Sequence, residues 1–388
     1  MKQTDITDAN FGDLVPTIGG ELAFVPRKLP PPLEWTSNLV SALSEAERAI
    51  GKLHGIGLNL PNPDLLITPF LRKEAEMSSR IEGTQANMEQ LYLFEVGSRV
   101  VESKVPDVKE VSNYISALEY GLEKVKEFPV GLRMFRQLHE ILMSDVRGQQ
   151  RAPGQFRTVQ NWIGPDRCPI EQASYVPPPP DKVQTTLSDL EMFINRPPSD
   201  LPTLVWLAMV HYQFEAIHPF LDGNGRIGRL LITLLLCEKE ILDKPLLYLS
   251  AYFERNRQDY YERLLRISTH GEWTEWMFFF LRGIVEQSQD AYERSRQLMD
   301  LQREYHEIVH RGKGSGTLMR LVDVLIERPV VTIKYASKAC NITYMTSRNA
   351  IAKLLKLGIL REFSDAKRNR IYIAPSVLEI INRPFKRA

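Results

Sequence analysis

Residues 218–229 read HPFLDGNGRIGR, a run that places one imidazole, one carboxylate, an Asn between two glycines, and two guanidinium groups close together. His218 has an imidazole whose ordinary pKa lies near neutrality, so it can take a proton from an attacking hydroxyl. Asp222 offers a hard oxygen of the kind Mg²⁺ accepts beside substrate phosphates. Arg226 and Arg229 lie three apart, on one face of a helical turn, and present forked donors suited to phosphate oxygens. Gly223, Asn224 and Gly225 are expected to stay outside a helix, because the glycines allow unusual dihedrals and close approach to a ligand. The apolar segment from Leu230 predicts a helix amino terminus just after them, whose free N–H groups form an anion site. Pro219 stops the preceding helix and fixes where His218 points.

Together these groups fit the attack of a hydroxyl on a phosphate, with charge stabilised by a cation, arginines and backbone amides. The run is not a P-loop, since no Lys follows the glycines and no GxxxxGK(S/T) sequence is present. His211 and His218 lie seven apart without a matching His or carboxylate set, which argues against a metal-hydrolase site. Singly, each residue has an ordinary structural role: a turn His, a capping Asp, surface arginines. All of them between two apolar segments make a site the better reading.

The elements that must position this run are mostly helical. LPTLVWLAMVHYQFEAI (201–217) leads into it and LLITLLLCEKEIL leads out, both as buried helices. Upstream, apolar residues recur at three- and four-residue spacings from about 37 to 145, clearest in VSALSEAERAIGKLHG, TPFLRKEAEMSSRIEG, VKEVSNYISALEYGLEKV and VGLRMFRQLHEILM. Gly83 reads as a helix stop. Residues 1–35 read as irregular, ending in a proline run. FRTVQNWIG and ASYVPPPP, within 156–180, flank turn residues and predict a β-hairpin. A helix follows around 181–195, and YFERNRQDYYERLLRIS with the stretch 272–311 completes a mainly α body. The Gly-rich RGKGSGT (311–317) predicts a hinge.

At 388 residues with 43% hydrophobic composition, the chain has the bulk of a soluble protein of two or three domains. No apolar run is long enough to predict a membrane span, and the first residues predict no secretory signal. Cys168, Cys237 and Cys340 are scattered, which predicts neither disulfides nor zinc and suits a reducing cytoplasm. The formal net charge of +1 hides an asymmetry. Residues 311–388 hold 16 Lys/Arg against 5 Asp/Glu, and the remainder 33 against 43. A basic end on an acidic body suggests a polyanion partner, although a solvated basic face explains the charge equally well.

HPFLDGNGRIGR resembles the signature of Fic-domain proteins, HPFx(D/E)GNGRxxR, with every fixed position filled. The resemblance implies transfer of a nucleotide monophosphate, usually AMP from ATP, onto a Ser, Thr or Tyr hydroxyl of a target protein. It implies His218 as base, Asp222 as Mg²⁺ ligand, and the stretch Gly223, Asn224, Gly225, Arg226, Ile227, Gly228 and Arg229 as the nucleotide-binding segment. SSRIEG at 78–83 is similar to the family's inhibitory-helix motif, (S/T)xxxE(G/N), through Ser78, Glu82 and Gly83. By that resemblance Glu82 pairs with Arg229 and denies it to the γ-phosphate. The 156–176 hairpin looks like the family's flap, which holds a target segment by edge-strand pairing, and a hairpin that merely covers the core is an equal alternative. Asn256 and Tyr261 fall where family members shape the adenine pocket. Glu215 either braces the loop or is solvated.

The fold expected is therefore mainly α: an irregular segment 1–35, a helical region 36–115 with the inhibitory helix, a Fic core 116–312, and a last domain 313–388. Within that last domain, residues 318–375 resemble a winged helix-turn-helix. TYMTSRNAIAKLLKLG would be its recognition helix, with Thr343, Tyr344, Thr346, Ser347 and Arg348 near the start, and 366–370 its wing tip. That implies DNA as a partner beside the target protein, or else a module for protein contacts; a second copy of the chain is a further partner expectation, and a membrane is not. Two alternatives stand beside the transferase: a nucleotide-sensing DNA-binding regulator, and an enzyme that uses another nucleotide or removes AMP with Glu82 positioning water.

Overall fold

Helical periodicity becomes helix through most of the chain in the computed structural model, which describes residues 11–58, 64–97, 105–165, 167–312, 316–363 and 370–384. The first described residues correct the expectation of an irregular segment. Strands β1 (Gly12–Pro16) and β2 (Leu22–Pro26) pair antiparallel, with Leu14 opposite Phe24. Phe24 is fully buried and its N–H donates to Val176 O, so this hairpin is fastened to the loop region beside the candidate site. Five-residue strands bounded by prolines carry too short an alternation to stand out in the sequence.

Four helices follow: α1 (Ser37–Leu58), α2 (Asp64–Ile81), α3 (Met88–Glu95) and α4 (Val105–Lys124). Asn87 caps α3 in a reciprocal box with Gln90, and Gly83 ends the turn after α2 with φ 93°. α5 (Leu132–Leu142) buries Met134, Phe135, Leu138 and His139 on one face. The stretch 156–176 then departs from expectation. Its only strand-like feature among the described residues is a single antiparallel bridge, Ile163 to Tyr175, with a 3-10 turn at Ile170–Gln172. Pro165, Pro169 and the Pro177–Pro180 run cannot donate to a ladder, so a bridged loop forms where a two-stranded hairpin was expected.

α6 (Pro180–Asn195) leads to the antiparallel centre of the body, α7 (Thr203–Ile217) and α8 (Asn224–Glu238). Almost every residue of both is buried, which explains their continuous apolar sequence. α8 begins at Asn224, well before Leu230, and so takes Asn224 and Gly225 into the helix. The Asn224 amide itself accounts for the difference: Oδ1 accepts from Phe220 N–H at 2.8 Å and Nδ2 donates to Phe220 O at 2.8 Å, pinning the loop to the helix start. Only Gly223, with φ 76°, uses a glycine's conformational freedom.

α9 (Ser250–Arg255), α10 (Arg257–His270) and the long α11 (Trp273–Arg311) complete the body. In the C-terminal unit come α12 (Gly316–Glu327), β3 (Val330–Thr332), α13 (Ile333–Ala339), α14 (Tyr344–Lys356), β4 (Arg361–Glu362), β5 (Ile371–Ile373) and α15 (Pro375–Asn382); the hinge expected at 311–317 lies partly outside the described residues. The three short strands form one antiparallel sheet in the order β3-β5-β4. Arg294 of α11 donates to the Ile381 and Arg383 carbonyls and so caps α15 against the body. The expected wing tip lies outside the described residues except for Arg370. No helix among the described residues is long and apolar enough to cross a membrane.

Candidate active site

α7 runs out at Ile217, and His218 takes a left-handed conformation, φ 49° and ψ 59°, with its N–H still bonded to Phe214 O. That region is unfavourable for a residue with a Cβ, so something must hold it there. Nδ1 lies 3.3 Å from the carbonyl of Glu215. A carbonyl only accepts, so Nδ1 carries the proton and Nε2 is left with its lone pair. Burial, seconded by the Arg157 charge, lowers the His218 pKa to about 4. The imidazole is thus neutral at pH 7, the form a base requires.

The loop that follows is held almost wholly through its backbone. Arg157, buried, donates from Nε to His218 O at 2.9 Å, and Asn161 donates to Phe220 O at 2.9 Å. His139 stacks on Phe220 with centroids 3.8 Å apart, accepts from Gly154 N–H at Nδ1, and donates from Nε2 to Asp222 O. Burial lowers the His139 pKa to about 4, consistent with that neutral tautomer. None of these three stood out in the sequence. The only signal was a His on the apolar face of α5 and an Arg and Asn in the region read as a hairpin.

Arg226 and Arg229 point inward from the first turns of α8 and are 5% and 1% exposed. Arg226 approaches Asp222 at 3.6 Å and Glu110 at 3.9 Å, yet its Nε and Nη1 have no hydrogen-bond partner among the described residues. Arg229 donates from Nε to Ser78 Oγ at 2.9 Å and from Nη2 to Ser78 O at 3.0 Å and Glu82 Oε1 at 2.7 Å, while Nη1 has no partner there. Burial opposes the charge on both members of this pair, and each one's opposite charge more than offsets it: Arg229 is raised and Glu82 lowered. Buried, unsatisfied guanidinium donors beside a helix amino terminus form a place for an anion.

Glu74 and Ser78 lie four apart on one face of α2, and Glu82, one residue past its end, continues the same spacing. The stripe is anchored at Glu74, whose carboxylate accepts from Ser250 N–H, Ser250 Oγ and Tyr114 Oη. Glu82 reaches Arg229 from the turn after α2, across the face of Gly225. A Cβ at Gly225 would lie 2.4 Å from Glu82 Oε1, so glycine here provides space rather than an unusual dihedral.

A cavity of about 680 Å³ opens at this junction, lined by Glu82, Glu215, His218, Gly225, Arg229, the bridged loop at Trp162–Gly164 and Ser174–Tyr175, and the α10 residues Arg257, Tyr261, Leu264 and Leu265. Tyr261 therefore stands where a base could stack, with Arg257 5.8 Å from its ring centroid. Asn256 is not in the lining; its side chain donates to Tyr252 O at the break between α9 and α10. Ile227 and Gly228 also turn away from the cavity, the first fully buried, the second against α7 with its carbonyl near His211 Nδ1. Glu215 is half-buried in the cavity lining: its Oε1 is buried without a partner among the described residues, and burial raises its pKa to about 7.

Among the described residues no group of three or more His, Cys, Asp or Glu could hold a metal ion. Asp222, with 40% of its side chain exposed and one oxygen engaged by Gly223 N–H, offers a single carboxylate. That donor set fits a Mg²⁺ that keeps waters and is held chiefly by substrate phosphates, not a protein-enclosed metal.

The fold and the site define a helical domain that brings a neutral imidazole and the first turns of α8 into one cavity. Residues 129–236 match the model of the Fic/DOC family, and residues 40–123 match the N-terminal model of that family. The chain carries a Fic domain. It is 24% identical over 215 residues to a protein adenylyltransferase Fic of Drosophila grimshawi, covering 55% of this chain and 41% of the relative. It is 28% identical over 159 residues to the protein of the same name from Nematostella vectensis, covering 38% and 33%. The chain thus spans less than half the length of these curated relatives. Among solved structures, a Fic family protein from Desulfovibrio desulfuricans G20 superposes with a TM-score of 0.58 at 20% identity, covering 89% of this chain and 98% of that one. Fic-1 from C. elegans superposes with a TM-score of 0.53 at 20% identity, covering 68% and 75%. These likenesses establish the mainly helical Fic fold.

Proposed function

We propose that the chain transfers AMP from ATP to a hydroxyl side chain of a target protein, and that Glu82 holds it in a self-inhibited state. His218 Nε2 takes the proton of the incoming hydroxyl. The alcohol oxygen bonds to the α-phosphorus as the bond to the β-phosphate oxygen breaks, and pyrophosphate leaves. The N–H groups at the start of α8, Arg226 and Arg229 hold the phosphates and accept the negative charge that shifts toward the leaving group. Asp222 would hold Mg²⁺, which when bound supplies further neutralisation of phosphate charge. Leu264, Leu265 and Tyr261 form the wall for the base.

One observation carries this reading: Glu82 occupies Arg229 at 2.7 Å in the same cavity as His218. A guanidinium tied to a carboxylate is withheld from the γ-phosphate, and the carboxylate repels that phosphate as well. The test is intact-mass analysis and α- against γ-labelled ATP, with Mg²⁺, for the wild type, Glu82→Gly and His218→Ala. Protein-bound α-label should rise at least about tenfold in Glu82→Gly and vanish when His218→Ala is added. Label from the γ position alone would indicate a kinase, and no change in Glu82→Gly would remove the inhibitory role. AMP release from a pre-labelled target by the wild type would favour the alternative in which Glu82 positions water. A reducing, cytoplasmic setting belongs to the same reading and rests on the three scattered cysteines of the sequence, Cys168, Cys237 and Cys340.

A second reading concerns the C-terminal unit, read as a winged helix-turn-helix. Thr343, Tyr344, Met345, Thr346 and Arg348 are all exposed at the start of α14, with Lys334 and Lys338 exposed on α13 beside it. Polar and basic side chains left unpacked on one helix start suit DNA phosphates and base edges. Ser347 does not join them; it is buried and donates to Ile333 O. Duplex affinity falling steeply with added salt is the expected result, and no binding at low salt discards this reading.

A further inference from the structure

We propose that Arg157 is a positioning residue for the transfer: its guanidinium ties together the backbone carbonyls around His218 and so keeps the imidazole on the cavity. The inference rests on the reading of His218 as the base.

Arg157 is 4% exposed, and among the described residues no carboxylate pairs with it. Its side chain spends its donors on main-chain oxygens. Nε donates to His218 O at 2.9 Å, Nη2 to Pro178 O at 2.5 Å and Ile217 O at 3.3 Å, and Nη1 to Val159 O at 3.4 Å. Its own N–H donates to Pro219 O at 2.9 Å. Three consecutive carbonyls, those of Ile217, His218 and Pro219, are thus held by one residue.

Burying a guanidinium without a counter-charge is costly, and burial accordingly lowers the Arg157 pKa to about 10. A fold that only needed an apolar filler would not retain such a group. The compensation lies in what the fork fixes. His218 sits at φ 49°, a conformation that persists in a residue with a Cβ only where its surroundings over-determine it. α7 supplies two constraints, His218 N–H to Phe214 O and Nδ1 to Glu215 O, and Arg157 holds the carbonyl side. Asn161 assists, donating to the same His218 carbonyl at 3.4 Å. A planar fork meets several carbonyls at once, and an ammonium, a point donor on a flexible stem, cannot reproduce that geometry. The same fork reaches Pro178 beyond the bridged loop, so the loop and the imidazole share one fixed reference.

The experiment uses the full chain in the Glu82→Gly background and compares Arg157→Met, Arg157→Lys and Asn161→Ala. ATP-dependent labelling gives kcat and KM for ATP, and a thermal melt reports the fold. Misplacing a base by about 1 Å costs on the order of 100-fold, so Arg157→Met is expected to lower kcat by about that factor with KM within about threefold. Arg157→Lys should recover part of the loss, and Asn161→Ala should lower kcat by less than either. Parental kcat in both Arg157 variants overturns the proposal, as does a loss that affects KM equally and tracks the melt. If Arg157→Met does not fold, Arg157→Lys and Asn161→Ala decide the question by the same ratio.

A parent that takes no label refutes the transferase reading instead, and a second measurement then bears on Arg157 alone. In protein labelled with ¹³C at histidine Cε1, His218 should give one sharp resonance in the wild type and a broadened or doubled one in Arg157→Lys. An unchanged resonance overturns the positioning role.

Discussion

At His218 opposing fields meet on one ring. Burial and the Arg157 charge favour the neutral form, while the Glu215 carbonyl, Glu82 and Asp222 favour the protonated one; the balance falls at about 4. The sign of the consequence follows directly. A base works only when unprotonated, and a lowered pKa keeps it so down to more acidic pH than an exposed His, which titrates near about 6.5. For Glu82→Gly combined with Glu215→Gln, which removes the other cavity group titrating at about 7, kcat/KM for ATP should therefore be flat between about pH 6 and 8 and fall only as pH approaches the lowered value, since that ratio reports the free enzyme's essential base. A descending limb centred near 6.5 would show that the ring is not desolvated as described. The imidazole, Asp222, the two arginines and Glu82 were legible because their side-chain types and short spacing carry the chemistry. Arg157, Asn161 and His139 were not, because they act on main-chain carbonyls and amides, and any segment of the chain supplies those. Asn256, Ile227 and Gly228 lie outside the cavity lining, as do Asp222, Gly223, Asn224 and Arg226.

Among the elements, the helices with a sustained apolar face were readable and the short or proline-bounded ones were not. α7 and α8 declare themselves by near-continuous hydrophobicity, and α2 by an apolar face that coexists with its Glu74, Ser78, Glu82 stripe. Each polar side chain there has a partner: the buried Glu74 on α9 and α4, the buried Ser78 on α8, and the exposed Glu82, just past the helix end, on α8 as well. The β1–β2 hairpin escaped because its strands are as short as the loops around them. The 156–176 segment misled in the opposite direction, since β-branched and aromatic residues there suggest strands that the prolines do not allow to pair. In the C-terminal unit the helices were visible, and β3, three residues long between α12 and α13, was not.

Across the whole molecule, α2 connects the two units whose charges differ most. Its last turns lead to Arg229, and its middle joins the basic C-terminal unit through ions. Arg72 donates to both oxygens of Glu95, at 3.0 and 3.3 Å, and Arg328, just beyond α12, donates to the same carboxylate at 2.9 Å. Thr68 reaches Glu327 one turn earlier at 3.3 Å. The two guanidinium groups also lie near aromatic rings, Arg72 5.7 Å from Tyr92 and Arg328 5.4 Å from Tyr335, so the junction is packed as well as charged. Removing the shared anion leaves Arg72, with 3% of its side chain exposed, as a buried cation without its paired carboxylate, facing a second cation and helped by the field of Glu119. Loss of one member of a buried pair costs about 3–5 kcal/mol, and the lower end applies here because Arg328, with 26% of its side chain exposed, can turn to water. Glu95→Ala should accordingly lose about 3 kcal/mol in urea unfolding, with Glu95→Gln recovering part through its remaining acceptor. The double variant Arg72→Met with Glu95→Ala should be less destabilised than Glu95→Ala alone, because the stranded cation is gone. A midpoint that does not move in Glu95→Ala would mean that the C-terminal unit is held to α2 by packing alone, and that the charge asymmetry between the units contributes nothing to how they join.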